Sequence, residues 1–367
     1  MSRRAWGGVL LSLVLLLAGA MVAAFLAYRW IEREHSAPGP SESPIRFQVA
    51  PGASARSVLT RLESMGALPS ARRTELYLRL TGRRLNVKVG EYEIPARASP
   101  ADIVERLEQG RVVLESLTIV EGSRFADLRA ALERHPGVKV TLRSKSDEEI
   151  MALLGHPGEH PEGRFFPDTY HFAAGTTDLQ LLRHAFERMQ RILAEAWEQR
   201  RENLPLETPY EALILASIVE KETALESERP RIAGVFINRL RRGMRLQSDP
   251  TVIYGIGPAF DGDIRSRDLV TDTPYNTYTR AGLPPTPIAL PGREALYAVV
   301  QPAETEELYF VATGLGDGSH HFSRTLEEHN QAVKRYLARL KQRPRSSTGA
   351  GAPQPKAQES ATPAEAR

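Results

Sequence analysis

The sequence predicts an α+β protein with a single N-terminal transmembrane helix, a small α+β subdomain and a larger mixed α+β domain. Three observations carry that prediction. Ala5 to Tyr28 is a run of 24 residues without a charge, dominated by Leu, Val and Ala. Short strand-like stretches followed by capped helical stretches then recur as far as Leu132. From Leu181 onward long helical periodicities dominate, interrupted by one proline-rich loop. The chain has 367 residues, room for about two domains. Its boundaries read as an N-terminus at 1–4, an apolar span at 5–28, a linker at 29–44, the subdomain at 45–115, the larger domain at 116–340 and a disordered tail at 341–367.

The apolar run would be about 36 Å long as a helix, enough to cross a bilayer core. Trp6, Tyr28 and Trp30 sit near its two ends, where interfacial aromatics belong. A cleaved signal peptide has an apolar core of only ~7–15 residues, so the run reads as an uncleaved anchor. No second apolar span follows, so almost the whole chain lies on one side of the membrane. Arg29 and Arg33 follow the span and leave the positive-inside comparison undecided. The expected placement is a cytoplasmic segment at 1–4 and an extracytoplasmic remainder.

Composition excludes several classes. Lysine and arginine number 48 against 45 acids, a formal charge of +3, too even for a nucleic-acid binder. There is no cysteine, hence no disulfide and no thiol chemistry. A hydrophobic content of 41% allows a sizeable core.

The elements follow in order. Pro, Ser and Gly between Glu34 and Ser43 mark the linker. Phe47–Val49 reads as a strand and Ser57–Met65 as a helix closed by Gly66. Val87–Ile94 alternates as a strand, and Ser99-Pro100 opens a helix through Ile103, Val104 and Leu107 that Gly110 closes. A third, weaker copy runs from Leu117 to Leu132. A short helix is expected over Ser146–Leu154, an aromatic turn over Phe165–Tyr170 and a long amphipathic helix over Leu181–Trp197. His156 and His160 are four apart, but Pro157 and Gly158 between them argue for loop positions and against a metal site. The adjacent His320 and His321 lack the partners a zinc site needs. Gly314, Gly316 and Gly318 have no βαβ frame and make no nucleotide loop. Leu326–Leu340 is the last helix.

Around Pro209–Leu240 the chain carries its densest signals. An apolar helical pattern from Leu213 to Val219 ends in Glu220-Lys221-Glu222. Two residues apart on a helix, the carboxylates lie on nearly opposite faces. Leu215, Ile218 and Val219 stand seven, four and three positions before Glu222; Leu213, Ala216 and Ser217 stand in those places before Glu220. Glu222 is therefore expected on the buried stripe, with Glu220 pointing away. A desolvated carboxylate rises in pKa, as a general acid requires, unless it simply pairs with an arginine. A second helix follows through Ile232, Val235, Phe236 and Leu240 to Gly243. Asp249 before Pro250 reads as a helix N-cap, whereas Gln247 has no comparable structural role. Thr273–Gly292, with five prolines, is a long stiff loop of the kind that carries function. Its tyrosines can stack on sugar faces and Asn276 can bond hydroxyls, or the loop is a structural wrap.

These residues carry a resemblance. Ala216–Ala224 (ASIVEKETA), Val235–Gly255 (VFINRLRRGMRLQSDPTVIYG), Tyr275–Pro285 (YNTYTRAGLPP), Glu162–Tyr170 and Tyr309–Ala312 are similar to the YceG-like family, the endolytic murein transglycosylases, from the anchor to about Leu340. The resemblance implies a LysM-like subdomain at 45–115 and a catalytic domain at 116–340. It implies a polysaccharide lyase of the cytoplasmic membrane that cuts nascent glycan between N-acetylmuramic acid and N-acetylglucosamine, leaving 1,6-anhydro ends. It implies no metal or cofactor, and penicillin-binding glycan polymerases as partners. The family's catalytic glutamate falls on Glu222. Gln247, Asp249, Tyr275, Asn276 and Tyr278 are then candidates for the glycan cleft, with Glu220 in support. Two other functions stay open: a glycan hydrolase with Asp249 as base, and a non-catalytic wall-binding scaffold.

Overall fold

The computed structural model describes residues 3–342. The first helix, α1 (Arg3–Ser36), contains a stretch, Leu15–Ser36, long and apolar enough to cross a membrane, with a mean hydropathy of 1.5. The helix does not stop at the expected linker. It continues to Ser36 because Ile31 and His35 are buried against the folded part that follows. Most of the tail expected to be disordered lies outside the described residues.

The chain divides into two compact units. One comprises residues up to Glu115 together with His171–Gly175; the other comprises Ser116–Tyr170 and the chain from Thr176 onward. The strands pair in three two-stranded sheets.

In the first unit β1 (Ile45–Val49) pairs antiparallel with β2 (Gly90–Ile94), Phe47 facing Tyr92 across the ladder. The alternation in β2 turns Tyr92 and Ile94 inward, where the Tyr92 and Phe47 rings lie 5.7 Å apart. Helices α2 (Ala55–Ser64), α3 (Ala71–Leu80) and α4 (Pro100–Gln109) complete the unit. Ser54, Ser70 and Ser99 cap them by accepting from backbone N–H groups of the first turn. Gly110 ends α4 in the left-handed conformation, φ 66°. Val58, Leu59 and Leu62 of α2 and Ile103, Val104 and Leu107 of α4 close the core. Sequence periodicity missed α3, because its side away from the core also carries leucines.

Strand β3 (Leu114–Thr118) pairs with β4 (Thr169–Ala173). Between them α5 (Phe125–Arg134) and α6 (Asp147–Leu154) form, α6 with a reciprocal capping box of Ser146 and Glu149. The second unit continues with α7 (Asp178–Glu198), α8 (Pro209–Glu222), α9 (Arg229–Arg241), α10 (Asp249–Ile256), α11 (Ser266–Val270) and α12 (Arg293–Val300). The hairpin of β5 (Tyr309–Ala312) and β6 (His320–Ser323) precedes the last helix, α13 (Leu326–Gln342).

At the centre is α8. Every residue from Ala212 to Val219 is buried, so the helix has no solvent stripe. Helices α7, α9, α10 and α12 pack around it. Thr208 caps its start and Pro209 occupies the first turn, where a missing N–H costs nothing. The proline-rich loop is fastened to it: Ser217 Oγ accepts from the Ile288 N–H at 3.0 Å while donating to the Ile214 carbonyl. Satisfying both groups is what allows a hydroxyl at a fully buried position.

Candidate active site

Glu222 is the last residue of α8, and its carboxyl faces the start of α10. Ser248 Oγ donates to Glu222 Oε1 at 2.5 Å. Ser248 itself is held from two sides. Its N–H donates to Thr277 Oγ1 at 3.0 Å, and its carbonyl accepts from Thr251 Oγ1 at 2.7 Å. The helix cap thus falls on Ser248 and not on Asp249 as the sequence suggested. Asp249 opens α10 with its carboxylate turned to Tyr278, whose hydroxyl donates to Oδ1 at 2.5 Å.

Burial raises the Glu222 carboxyl to about 7. The Ser248 bond opposes this, the nearby Asp249 charge adds to it, and Arg239 opposes it. The end of α8 is also the negative pole of the helix, which disfavours an anion. The residue as a whole is half-buried, and its carboxyl is desolvated. A carboxyl poised near neutrality can both give and take a proton. Burial raises Asp249 as well, against the lowering effect of its Tyr278 bond.

Arg239 supplies the positive charge beneath. It is 2% exposed, donates from Nε to the Leu308 carbonyl at 2.6 Å and from Nη1 to the Leu246 carbonyl at 2.8 Å, and lies over the Tyr309 ring. Sequence reasoning missed it, although a signal was present. Ile232, Val235, Phe236 and Arg239 stand at i, i+3, i+4 and i+7, so an arginine occupies the buried stripe of α9. Gln247 does have a structural role after all: it adopts φ 52° and its Oε1 accepts from Arg239 Nη1 at 3.2 Å.

Glu220 corrects the face argument. Its side chain is not turned to solvent but is 5% exposed. Oε1 accepts from Arg229 Nη2 at 3.0 Å and Oε2 accepts from the Gly292 N–H at 3.0 Å. Since α8 is enclosed on all sides, counting apolar neighbours could not separate the two carboxylates.

Of the loop candidates, Tyr275 and Tyr278 are partly exposed, whereas Asn276 is 1% exposed. Its Nδ2 donates to the carbonyls of Asp268, Leu269 and Thr271, and its Oδ1 accepts from the Tyr278 N–H. Both amide hydrogens are committed to the fold, so Asn276 shapes the loop and is not available to a sugar hydroxyl. Tyr275 bonds Thr286 Oγ1 at 2.9 Å and packs edge-on against Tyr254.

A second carboxyl raised by burial to about 7 is Glu162. It accepts from the Phe125 N–H at 2.9 Å and from the Tyr254 hydroxyl at 3.1 Å. Standing between Pro161 and Gly163 in an aperiodic segment, it opens the Glu162–Tyr170 motif but no periodicity marked it as buried. His156 and His160 lie in a loop, as expected, with His156 Nδ1 3.1 Å from Glu159.

Comparison with known proteins finds relatives over most of the chain. A family model described as the YceG-like family covers residues 47–335. The chain is 28% identical over 315 residues to an endolytic murein transglycosylase of Bacillus subtilis, covering 81% of this chain and 86% of that protein. It is 27% identical over 330 residues to the endolytic murein transglycosylase of Streptococcus pneumoniae, of which it spans 59%. The crystal structure of a YceG-like protein from Listeria monocytogenes superposes with a TM-score of 0.53 at 29% identity, covering 79% of this chain and 99% of that one. With a match over most of its length, this chain belongs to the YceG-like family.

Proposed function

We propose that the chain is a membrane-anchored endolytic lytic transglycosylase of peptidoglycan. The observation that carries this is Glu222: one carboxyl, raised to about 7 by burial and held by Ser248. The names of the Bacillus and Streptococcus relatives support the same activity.

In this mechanism protonated Glu222 gives its proton to the glycosidic oxygen as the bond from the muramic acid anomeric carbon breaks. The 6-hydroxyl oxygen of the same sugar attacks that carbon, and its proton passes to the Glu222 carboxylate. The product is a 1,6-anhydro end, no water is consumed, and the enzyme leaves the cycle in its starting protonation state. The internal nucleophile gains from proximity and removes the need for a second catalytic carboxylate. Tyr275 and Tyr278 offer ring faces to the glycan, while Asp249, Gln247 and Glu220 position the site. Such cuts in nascent strands would end their elongation. Helix α1 serves as the anchor, residues 45–115 as a LysM-like glycan-binding subdomain and residues 116–340 as the extracytoplasmic catalytic domain, working beside penicillin-binding glycan polymerases.

Mass spectrometry of glycan strands digested by the wild type and by Glu222→Gln tests this. Anhydro ends are expected from the wild type and no new ends from the variant; undiminished cleavage by Glu222→Gln overturns the assignment. A second reading, hydrolysis with Asp249 as base, draws on the electrostatic effect of Asp249 on Glu222. Reducing ends in place of anhydro ends would establish it. An alkaline phosphatase fusion after Leu340 is expected to be active; an inactive fusion in a stable protein would place the domain in the cytoplasm.

A further inference from the structure

The structure points to a second membrane contact. We propose that the face of α3 turned away from its core docks on the anionic phospholipid surface of the bilayer that α1 enters, an inference that rests on reading α1 as an anchor. The face is defined by contrast. Ala71, Thr74 and Leu78 are the buried residues of α3. On the far side Leu76 and Leu80, four apart and therefore stacked on one face, are 43% and 56% exposed. Leucines in that position contribute little to folding.

Their setting gives them a partner. Arg72 and Arg79 share the leucine face at helical spacing, and Arg83 and Arg84 follow just beyond the helix, all exposed. From Ala71 to Arg84 the chain holds five arginines against one glutamate. Apolar side chains flanked by arginines are the pattern of a helix lying in a membrane interface, with leucines among the acyl chains and guanidinium groups on phosphates.

Helix α1 sets the height. Tyr77 of α3 stacks on His35 of α1 at 3.9 Å between ring centres. Arg73 pairs with Glu34 at 2.8 Å and lies over the Trp30 ring at 5.4 Å. Arg73 and Tyr77 adjoin Leu76 and Leu80 around the helix, so the leucine face lies beside α1. Trp30 stands two residues beyond Tyr28, where the uncharged run ends, at the level where aromatic residues meet the headgroups. The contact of Arg73 with Trp30 holds α3 at that level.

The absence of native cysteine allows a direct test in the full-length chain. Single variants Phe25→Cys, Leu80→Cys and Leu153→Cys are labelled with an environment-sensitive fluorophore and reconstituted into vesicles carrying nitroxide-labelled lipid. Phe25 is 62% exposed on α1 and Leu153 is 46% exposed in the other unit. Strong quenching is expected at positions 25 and 80 and little at 153. Quenching at 80 is expected to fall at least twofold when phosphatidylglycerol is replaced by phosphatidylcholine, and when Arg72→Glu and Arg84→Glu are combined. Quenching at 25 without quenching at 80 overturns the proposal and leaves the anchor intact. No quenching at either position overturns both. Equal quenching at 80 and 153, or at 80 in both lipids, also overturns it.

Discussion

Ser248 donates its hydroxyl to Glu222 from the N-cap position of α10, so its side chain caps none of that helix's N–H groups. A serine at that position usually accepts from the first turn. Here it lowers the Glu222 pKa, against burial. Removing the donor in Ser248→Ala therefore raises the carboxyl further above 7. In a pH profile of glycan cleavage, the limb set by the Glu222 proton is expected to move to higher pH, with a rate loss of about tenfold at neutral pH because the protonated carboxyl becomes a weaker acid toward the glycosidic oxygen. Ser248→Thr keeps the hydroxyl and is expected to keep the profile. A purely structural role would lower the rate without moving the limb.

Glu220→Gln is expected to behave differently from Glu222→Gln. It strips from Arg229, which is 6% exposed at its side chain, the nearer of two carboxylates and leaves Glu121 at 3.8 Å. Breaking a buried pair outright costs about 3–5 kcal/mol, and the remaining Glu121 brings the expected loss below that. Urea unfolding should register that loss, while the fraction that remains folded still cleaves glycan. Glu222→Gln should unfold at a urea concentration no lower than the wild type and cleave nothing.

The Glu162 carboxyl makes stability depend on pH. Its pKa in the folded protein is about 7, above the ordinary glutamate value of 4.5. The folded state therefore holds its proton where the unfolded state has released it, and stability falls as pH rises from about 4.5 through 7. A tenfold difference in proton affinity between the two states corresponds to about 1.4 kcal/mol, so the loss attributable to this group is on the order of 3 kcal/mol between pH 5 and 8. Glu162→Gln keeps an acceptor for the Phe125 N–H and the Tyr254 hydroxyl. Its unfolding free energy is expected to vary less with pH than that of the wild type, the two curves separating from about pH 5 upward.

Asn276→Ala is expected to cost about 2–4 kcal/mol, since it removes several buried hydrogen bonds worth about 1 kcal/mol each. The predicted signature is a lowered midpoint in thermal unfolding. Retention of wild-type stability with weakened glycan binding would return Asn276 to the cleft.

The extent to which these features were legible in the chain varies with their physical origin. Capped helices such as α4 and α6 were readable, because a capping Ser at one end and Gly at the other are local instructions. The helix α3 was not, because exposed leucines blurred its period. Motif resemblance placed chemistry on Glu222, but the position of Glu220 depends on four helices packed around α8, a property of tertiary structure. Asn276 and Gln247 look alike in sequence to residues that bind ligands. Only their hydrogen bonds, to the backbone carbonyls of Asp268, Leu269 and Thr271 and to the buried Arg239, reveal that they serve the fold.

The fastening of the proline-rich loop to α8 has a thermodynamic consequence. Five prolines between Thr273 and Gly292 limit the conformations open to the unfolded segment, and Ser217 and Glu220 hold the folded one. The entropy of ordering this wall is lost when the protein folds, not when a glycan arrives. Contact energy is then free to distort the sugar toward the geometry of the anhydro product. Calorimetry of glycan binding should accordingly report a heat-capacity change no larger than the contact area requires.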